Sequence, residues 1–497
     1  MKKTLLIIVL LCTGPIPWTR AAGPEDSVVK VLATQRMPSP FRPWANGTPN
    51  EVMGSGAVIE GKRIITNAHL VLYAGDVSVQ SDRGGDKFDA VVELIAPDMD
   101  LAVLSLKDAK FFDKHPALPR NKNLPKATDS VAVYGYPIGG NGQAVTKGVV
   151  SRIDYGSYYG QAHGLIVQVS AAINRGNSGG PALVGDKMIG IVFSRLTEGQ
   201  NIGYLIPTEE IDWFMENAKG GRFKGKPIDT SGALYQRCEN VTLRRYLKLA
   251  DGVRGILVHP PQHPRADCPF EEYDVLTRIG TFDVDNEGMV QHPAGLRLAF
   301  DSVLAGAAKD GGAPITVIRG GRRIETKLPV SAEDRRLIRG WGGNKPSYFI
   351  HGPLVFSPLS LNAVAYLIEA RPDLDTPRNP VMARLGDRVR FPGEELVVIT
   401  SPMFNHKITK GYGDPVGQVV KEVNGTPIKN LKHLVELLRD CTDEYLKFRF
   451  MEEGAELLVF RNDEMKKATD EILDDNGISP NRRGSEDVLK VWLRKER

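Results

Sequence analysis

The chain has 497 residues, 41% of them apolar and 25% charged, and carries a net charge of +4. That length suits about three globular domains, and the apolar share is ample for their cores. The near-balanced charge, with no basic block interleaved with aromatic residues, gives nucleic-acid binding no electrostatic support.

Residues 1–21 read as a secretory signal peptide. Lys2 and Lys3 charge the start, Leu5 to Cys12 form a short apolar core, and Thr19-Arg20-Ala21 supplies small residues for cleavage. The apolar run falls short of the roughly 20 residues that a bilayer crossing needs, and no later stretch qualifies. The expectation is export, cleavage and no stable membrane insertion, with the mature chain in a bacterial periplasm or envelope, or secreted.

Residues 22–218 read as mainly β. Short β-rich runs such as Ser27–Leu32, Ala57–Ile59, Ala90–Ile95, Val131–Tyr134, Leu165–Val169 and Met188–Phe193 alternate with glycine- and proline-marked turns. A helical stretch, Thr208–Ala218, closes the unit, and Lys219–Pro227 reads as a linker. Residues 219–335 form a second unit with strands at Gly255–Val258, Tyr273–Gly280 and Ala313–Gly321, and a helix near Leu296–Ala308. After a segment at 336–385, residues 386–465 repeat this grammar. Gln418–Val423 runs into the hairpin dipeptide Asn424-Gly425. Asn430 then caps a helix whose Leu431, Leu434, Leu437 and Leu438 share a face. The tail, 466–497, is charge-rich, with an exposed helix expected at Lys466–Leu473.

Four cysteines make no framework. Cys12 leaves with the signal, Cys238 and Cys268 are either a pair or two free thiols, and Cys441 is left over. No His/Cys/Asp cluster has metal-ligand spacing, so neither a metal nor another cofactor is expected.

The chemistry concentrates in Ile173-Asn174-Arg175-Gly176-Asn177-Ser178-Gly179-Gly180-Pro181. Flanking glycines let the chain turn sharply and present the Ser178 hydroxyl, with the N–H groups of Gly176 and Ser178 aimed at one point as an oxyanion hole requires. A serine nucleophile needs a base, and the base needs an orienting group. Upstream, Thr66-Asn67-Ala68-His69 supplies the imidazole, and Asp98-Met99-Asp100-Leu101-Ala102 supplies two carboxylates that spacing alone does not separate. The order His, Asp, Ser is that of chymotrypsin-like proteases.

Taken with Gly54-Ser55-Gly56 and Asn201–Pro207, these motifs make the chain resemble the Deg/HtrA serine proteases, most of all the plant-type subgroup with two PDZ domains and its bacterial relatives. The likeness runs over nearly all of the mature chain. It includes Tyr348–Ile350 with Leu354–Leu359, which resemble that subgroup's segment between the PDZ domains, and Asn430–Leu434 of its second PDZ domain. The resemblance implies a chymotrypsin-like double β-barrel followed by two PDZ domains. It implies a triad of His69 as base, Asp100 as orienting acid and Ser178 as nucleophile, with Asp100 favoured over Asp98 because it directly precedes Leu-Ala.

The resemblance further implies a pocket lined by Ile173 and Ile202 that favours small or medium aliphatic residues before the cut. It implies unfolded proteins and peptides as substrates, and homo-oligomers, either trimers or trimer-based hexamers. No nucleotide-binding loop is present, so ATP-independent endopeptidase activity in envelope quality control is expected; the alternative is a chaperone or peptide-binding scaffold with latent proteolysis. Gly255, Ile256, Leu257 and Val258 would form the peptide-binding edge of the first PDZ domain. Phe41-Arg42-Pro43-Trp44 is either a contact between copies or a loop tucked onto its own barrel. Ser170 stands where many relatives carry aspartate, which puts the support of the activation loop in question.

Overall fold

The computed structural model describes residues 23–494 except 82–84, 140–141, 159–161, 194–201, 219–222, 224, 262–266, 334–335, 371, 373–375 and 377–378. The expected signal peptide therefore lies outside the described residues.

The first 185 or so residues after it form two closed six-stranded barrels. In the first, β1 (Val28–Gln35), β2 (Asn50–Ile59), β3 (Arg63–Thr66), β4 (Ala74–Gln80), β5 (Lys87–Ala96) and β6 (Leu101–Leu106) close in the order β1-β2-β3-β6-β5-β4. In the second, β7 (Ser130–Gly135), β8 (Ala144–Ser157), β9 (His163–Val169), β10 (Pro181–Val184), β11 (Lys187–Phe193) and β12 (Gly203–Pro207) close in the order β10-β11-β12-β9-β8-β7. All neighbours are antiparallel, and closure leaves no strand edge open. Each barrel has its own aliphatic core, with Val29, Val58 and Leu104 in one and Val131, Val167 and Leu205 in the other. A third cluster spans them, bringing Ile65 and Leu101 of the first barrel together with Leu183, Ile191 and Ile206 of the second. That shared core fixes the barrels against each other and so fixes any site between them.

In the next unit the strands run Ile228–Asp229, Arg322–Ser331, Gly312–Arg319, Val275–Ile279, Ile256–His259, Leu234–Gln236 across one sheet. This corrects the expected peptide edge. Ile256–His259 is paired on one side with Val275–Ile279 and on the other with Leu234–Gln236, so Leu257 and Val258 of the expected edge already have backbone partners on both sides. The free edge belongs to Leu234–Gln236, whose Leu234 is 72% exposed. A four-residue apolar strand reads alike whether it is central or outermost, which is why the sequence misplaced it. The expected helix near 296–308 is shorter, reduced to helical turns over Phe300–Val303 and Leu304–Ala307. Ahead of them Arg297–Ala299 pairs with Met289–Gln291 as a hairpin, and its Leu298 is buried with Ile153 and Leu165 of the second barrel. Cys238 and Cys268 are free thiols in separate cores.

The last unit draws on three stretches that the sequence reads apart. Phe349–His351 and Leu354–Pro358, expected between the PDZ units, form a sheet with Val397–Ile399. Val420–Val423 turns through Asn424-Gly425 at φ +48° and +82° into Thr426–Pro427, a conformation that suits this dipeptide. Asn430 caps the helix Leu431–Asp440 through its Oδ1, which accepts from the N–H of His433 at 2.8 Å. The tail is a correction: the helix is Asn462–Asp475, and it is not exposed. Met465, Ala468, Thr469, Ile472 and Leu473 are buried, because its apolar residues recur every three to four positions amid the charges.

The loop Phe41–Trp44 packs on the C-terminal unit. Phe41 meets Tyr366 edge-on at 6.2 Å, its carbonyl accepts from the Ser401 hydroxyl, and Trp44 stacks near Phe404 at 5.6 Å. The loop thus joins the first barrel to the C-terminal unit.

Candidate active site

His69 sits in a one-turn helix, Ala68–Val71, that follows β3. Asp100 follows the 3-10 turn Pro97–Met99 and takes the left-handed conformation, φ 55° and ψ 39°, which Asp tolerates better than most residues. The turn, not an extended chain, separates the two rival carboxylates. Asp98 is exposed, whereas Asp100 is 1% exposed. The Asp100 carboxylate accepts from the backbone N–H of His69 at 2.9 Å and lies 2.8 and 2.9 Å from its Nδ1. Asn67 Nδ2 donates to the Asp100 carbonyl at 3.0 Å, locking the turn to the helix. A buried carboxylate on Nδ1 fixes the tautomer that leaves Nε2 as the acceptor.

Ser178 lies in the loop that enters β10, buried between the barrels. Its carbonyl accepts from the N–H of Ser55 at 2.8 Å, across the barrel interface. Gly176 has φ +98°, and a Cβ there would lie 2.3 Å from the Tyr136 carbonyl, so no other residue fits. The Ile138 N–H donates to the Arg175 carbonyl at 2.9 Å. Because the peptide is trans, its C=O and N–H point opposite ways; this bond therefore turns the Gly176 N–H away from Ile138. Gly179, at φ +83°, brings the chain so close to Ser55 that a Cβ would lie 2.1 Å from its carbonyl.

Ile173 is partly buried against the second barrel's core, and its Cδ1 fills the space where Gly203 would carry a side chain. The neighbouring Ile202 is 39% exposed. The Ser170 hydroxyl accepts from the N–H of Val149 at 3.0 Å, and the Ser170 N–H donates to the Val149 carbonyl at 3.0 Å, so the serine ties its segment to β8.

Ser55 is the member of this site whose role sequence reasoning missed. Its hydroxyl donates to the Gly176 carbonyl at 2.7 Å and accepts from the Tyr136 N–H at 2.9 Å, while Thr66 Oγ1 donates to its carbonyl at 2.7 Å. The flanking glycines of Gly54-Ser55-Gly56 were the available signal.

Two six-stranded barrels with an imidazole–carboxylate pair on one and a glycine-framed serine on the other define a trypsin-like serine endopeptidase. Residues 54–191 match the family of trypsin-like peptidase domains, and residues 341–487 match that of PDZ domains. The chain is 34% identical to the mitochondrial protease Do-like 4 of Arabidopsis thaliana, over 90% of this chain and 83% of the relative. It is 35% identical to that plant's chloroplastic protease Do-like 2, over 94% and 76%. The chain belongs to the Deg/HtrA family of Do-like serine proteases. Among solved structures it is similar to the HtrA-type protease AlgW with a tripeptide, at 22% identity and a TM-score of 0.48, covering 62% of this chain and 94% of that one. Among the described residues no helix is long and apolar enough to cross a membrane.

Proposed function

We propose that the protein is an ATP-independent endopeptidase of envelope protein quality control that cuts unfolded chains after small or medium aliphatic residues. The observation that carries this reading is the buried Asp100 carboxylate held on both the backbone N–H and Nδ1 of His69. In this mechanism His69 Nε2 takes the proton of Ser178 as its Oγ attacks the scissile carbonyl. The N–H groups of Gly176 and Ser178 hold the negative charge that forms on that oxygen. His69 then gives the proton to the leaving amine, and water hydrolyses the acyl-enzyme by the same steps.

Ile173 and Ile202 wall the pocket for the residue before the cut; apolar walls at that place suit aliphatic side chains. The second unit is a first PDZ domain. Assembly into trimers or trimer-based hexamers, and export by residues 1–21 to a periplasm, complete the reading.

The test is digestion of casein, without ATP, by the mature chain and by Ser178→Ala, with cut sites mapped by mass spectrometry. Cleavage by the wild type alone, after Val, Ile, Ala or Leu, is expected. No cleavage by either, with client aggregation still suppressed, overturns the reading in favour of a chaperone.

A further inference from the structure

The strand β1 turns Val29, Val31, Ala33 and Gln35 inward: these alternate residues are buried, while Lys30, Leu32 and Thr34 are only partly covered. The first three are apolar and belong to the first barrel's core. Gln35 ends the row with a carboxamide on a residue that is 6% exposed. A polar side chain at such a place needs a hydrogen-bond partner, or its burial costs stability.

That partner is the main chain of His69. The helix Ala68–Val71 is a single turn, too short to supply donors for the carbonyls of its own last residues. Gln35 Nε2 donates to the His69 carbonyl at 2.7 Å. The next residue repeats the grip, since the Arg36 N–H donates to the Tyr73 carbonyl at 3.0 Å. Tyr73 takes the left-handed conformation at φ +57°, a state that a bulky residue keeps only when its surroundings hold it. Directly after it, β4 carries one extra residue, Gly75, between the partners of Thr34 and Gln35. Such a bulge bends the strand locally, and this one lies where the end of β1 meets the His69 helix.

The Asp100 carboxylate holds the opposite side of the same residue, on the His69 N–H and on Nδ1. His69 is therefore fixed through both of its peptide groups, by Asp100 on the N–H before its Cα and by Gln35 on the carbonyl after it. Asp100 ties the ring to a carboxylate; Gln35 ties that pair to the barrel wall.

We propose that Gln35 is a positioning residue for proteolysis, a role that rests on reading His69 as the base. It holds the His69 main chain so that Nε2 meets the Ser178 hydroxyl in the geometry of proton transfer.

The experiment compares the full mature chain with three variants. Gln35→Met keeps the length and shape of the side chain but loses the donor. Its kcat for a chromogenic aliphatic peptide should fall about tenfold with KM nearly constant, because a displaced base costs rate and not substrate binding. Gln35→Glu also loses the donor and sets a negative charge near the imidazolium that forms in the reaction. The acid limb of its kcat/KM profile should move to higher pH by about half a unit. Val29→Ala, in the same inward row, is the packing control; it should lower the urea midpoint at least as much and leave kcat as it is. Amide exchange over Ala68–Val71 gives a readout that needs no activity. It should quicken in Gln35→Met and hold its wild-type rate in Val29→Ala.

An unchanged kcat in Gln35→Met, or a loss that lies in KM, would overturn the proposal. So would an equal fall in kcat for Val29→Ala, an acid limb that Gln35→Glu leaves in place, or exchange over Ala68–Val71 that Gln35→Met does not alter. A wild type that cleaves nothing would overturn the endopeptidase reading instead, and the exchange arm would still decide whether Gln35 holds the helix.

Discussion

The hydroxyl of Ser55 ties together three stretches that meet at the reactive serine. It holds the Gly176 carbonyl and the Tyr136 N–H at once, while the Ser55 backbone holds Ser178. Ser55→Ala leaves both of those buried backbone groups without their partner, a loss of about 1–3 kcal/mol. The loss falls on the loop that carries Gly176 and Ser178, the proposed oxyanion-hole donors, so kcat for a chromogenic peptide should drop roughly 10- to 100-fold while KM stays nearly constant. An equal fall in affinity, with kcat unchanged, would show that Ser55 shapes the pocket instead. His69, Asp100 and Ser178 were legible in the sequence because each sits in a short motif with its own local geometry. Ser55 was not, because its partners Gly176 and Tyr136 are 121 and 81 residues away, and only the closed barrels bring them together.

At the scale of elements, two buried groups control how the units hold. Glu210, on the helix Thr208–Asn217, is buried; it accepts from the Leu165 N–H at 2.9 Å and pairs with Lys226 at 2.5 Å. Lys226 lies in the linker, so the pair pins the linker to the second barrel. Lys226→Met leaves a buried carboxylate uncompensated and should destabilise the protease unit by about 3 kcal/mol. Adding Glu210→Gln should restore much of that in urea melts, because the amide removes the charge and still accepts from Leu165. His351 is the second group. Burial, reinforced by the Arg483 and Lys466 charges, pushes its pKa down to about 3, so the folded chain keeps it neutral. Below about pH 6.5 the unfolded chain takes up a proton that the folded chain refuses. Stability therefore falls with acidification by about 1.4 kcal/mol per pH unit from this group, until pH nears 3. His351→Gln should lose that share of the slope between pH 6 and 4, measured as the difference between variant and wild-type urea midpoints. The helix Leu431–Asp440 was legible from its leucine spacing and its Asn430 cap. The pairing of Phe349–His351 with residue 484 was not, since strand partners are set by distant segments and not by local pattern.

At the scale of the whole molecule, the C-terminal unit touches the arm that carries the imidazole and its carboxylate. The Tyr73 hydroxyl donates to the Asn344 carbonyl at 3.1 Å, and a Cβ at Gly343 would stand 3.2 Å from Leu72 and 3.4 Å from Pro97. Leu72 ends the helix of His69, and Pro97 opens the turn to Asp100. The loop Phe41–Trp44 holds the same two units together from another side, with Trp44 packed on Tyr348 at 6.3 Å as well as on Phe404. Both contacts converge on one stretch, Trp341 to Tyr348, so loosening one should loosen the other. Trp44→Ala removes an aromatic anchor whose truncation costs about 3 kcal/mol or more when fully buried, and less at this half-buried site. Amide exchange should then quicken in two places at once: in Tyr348–Ile350, on which Trp44 packs, and in Ala68–Tyr73 of the first barrel. Faster exchange in the first alone would mean that the C-terminal unit packs on the loop without bearing on the His69 arm. Faster exchange in both would make the placement of this unit a determinant of the catalytic geometry.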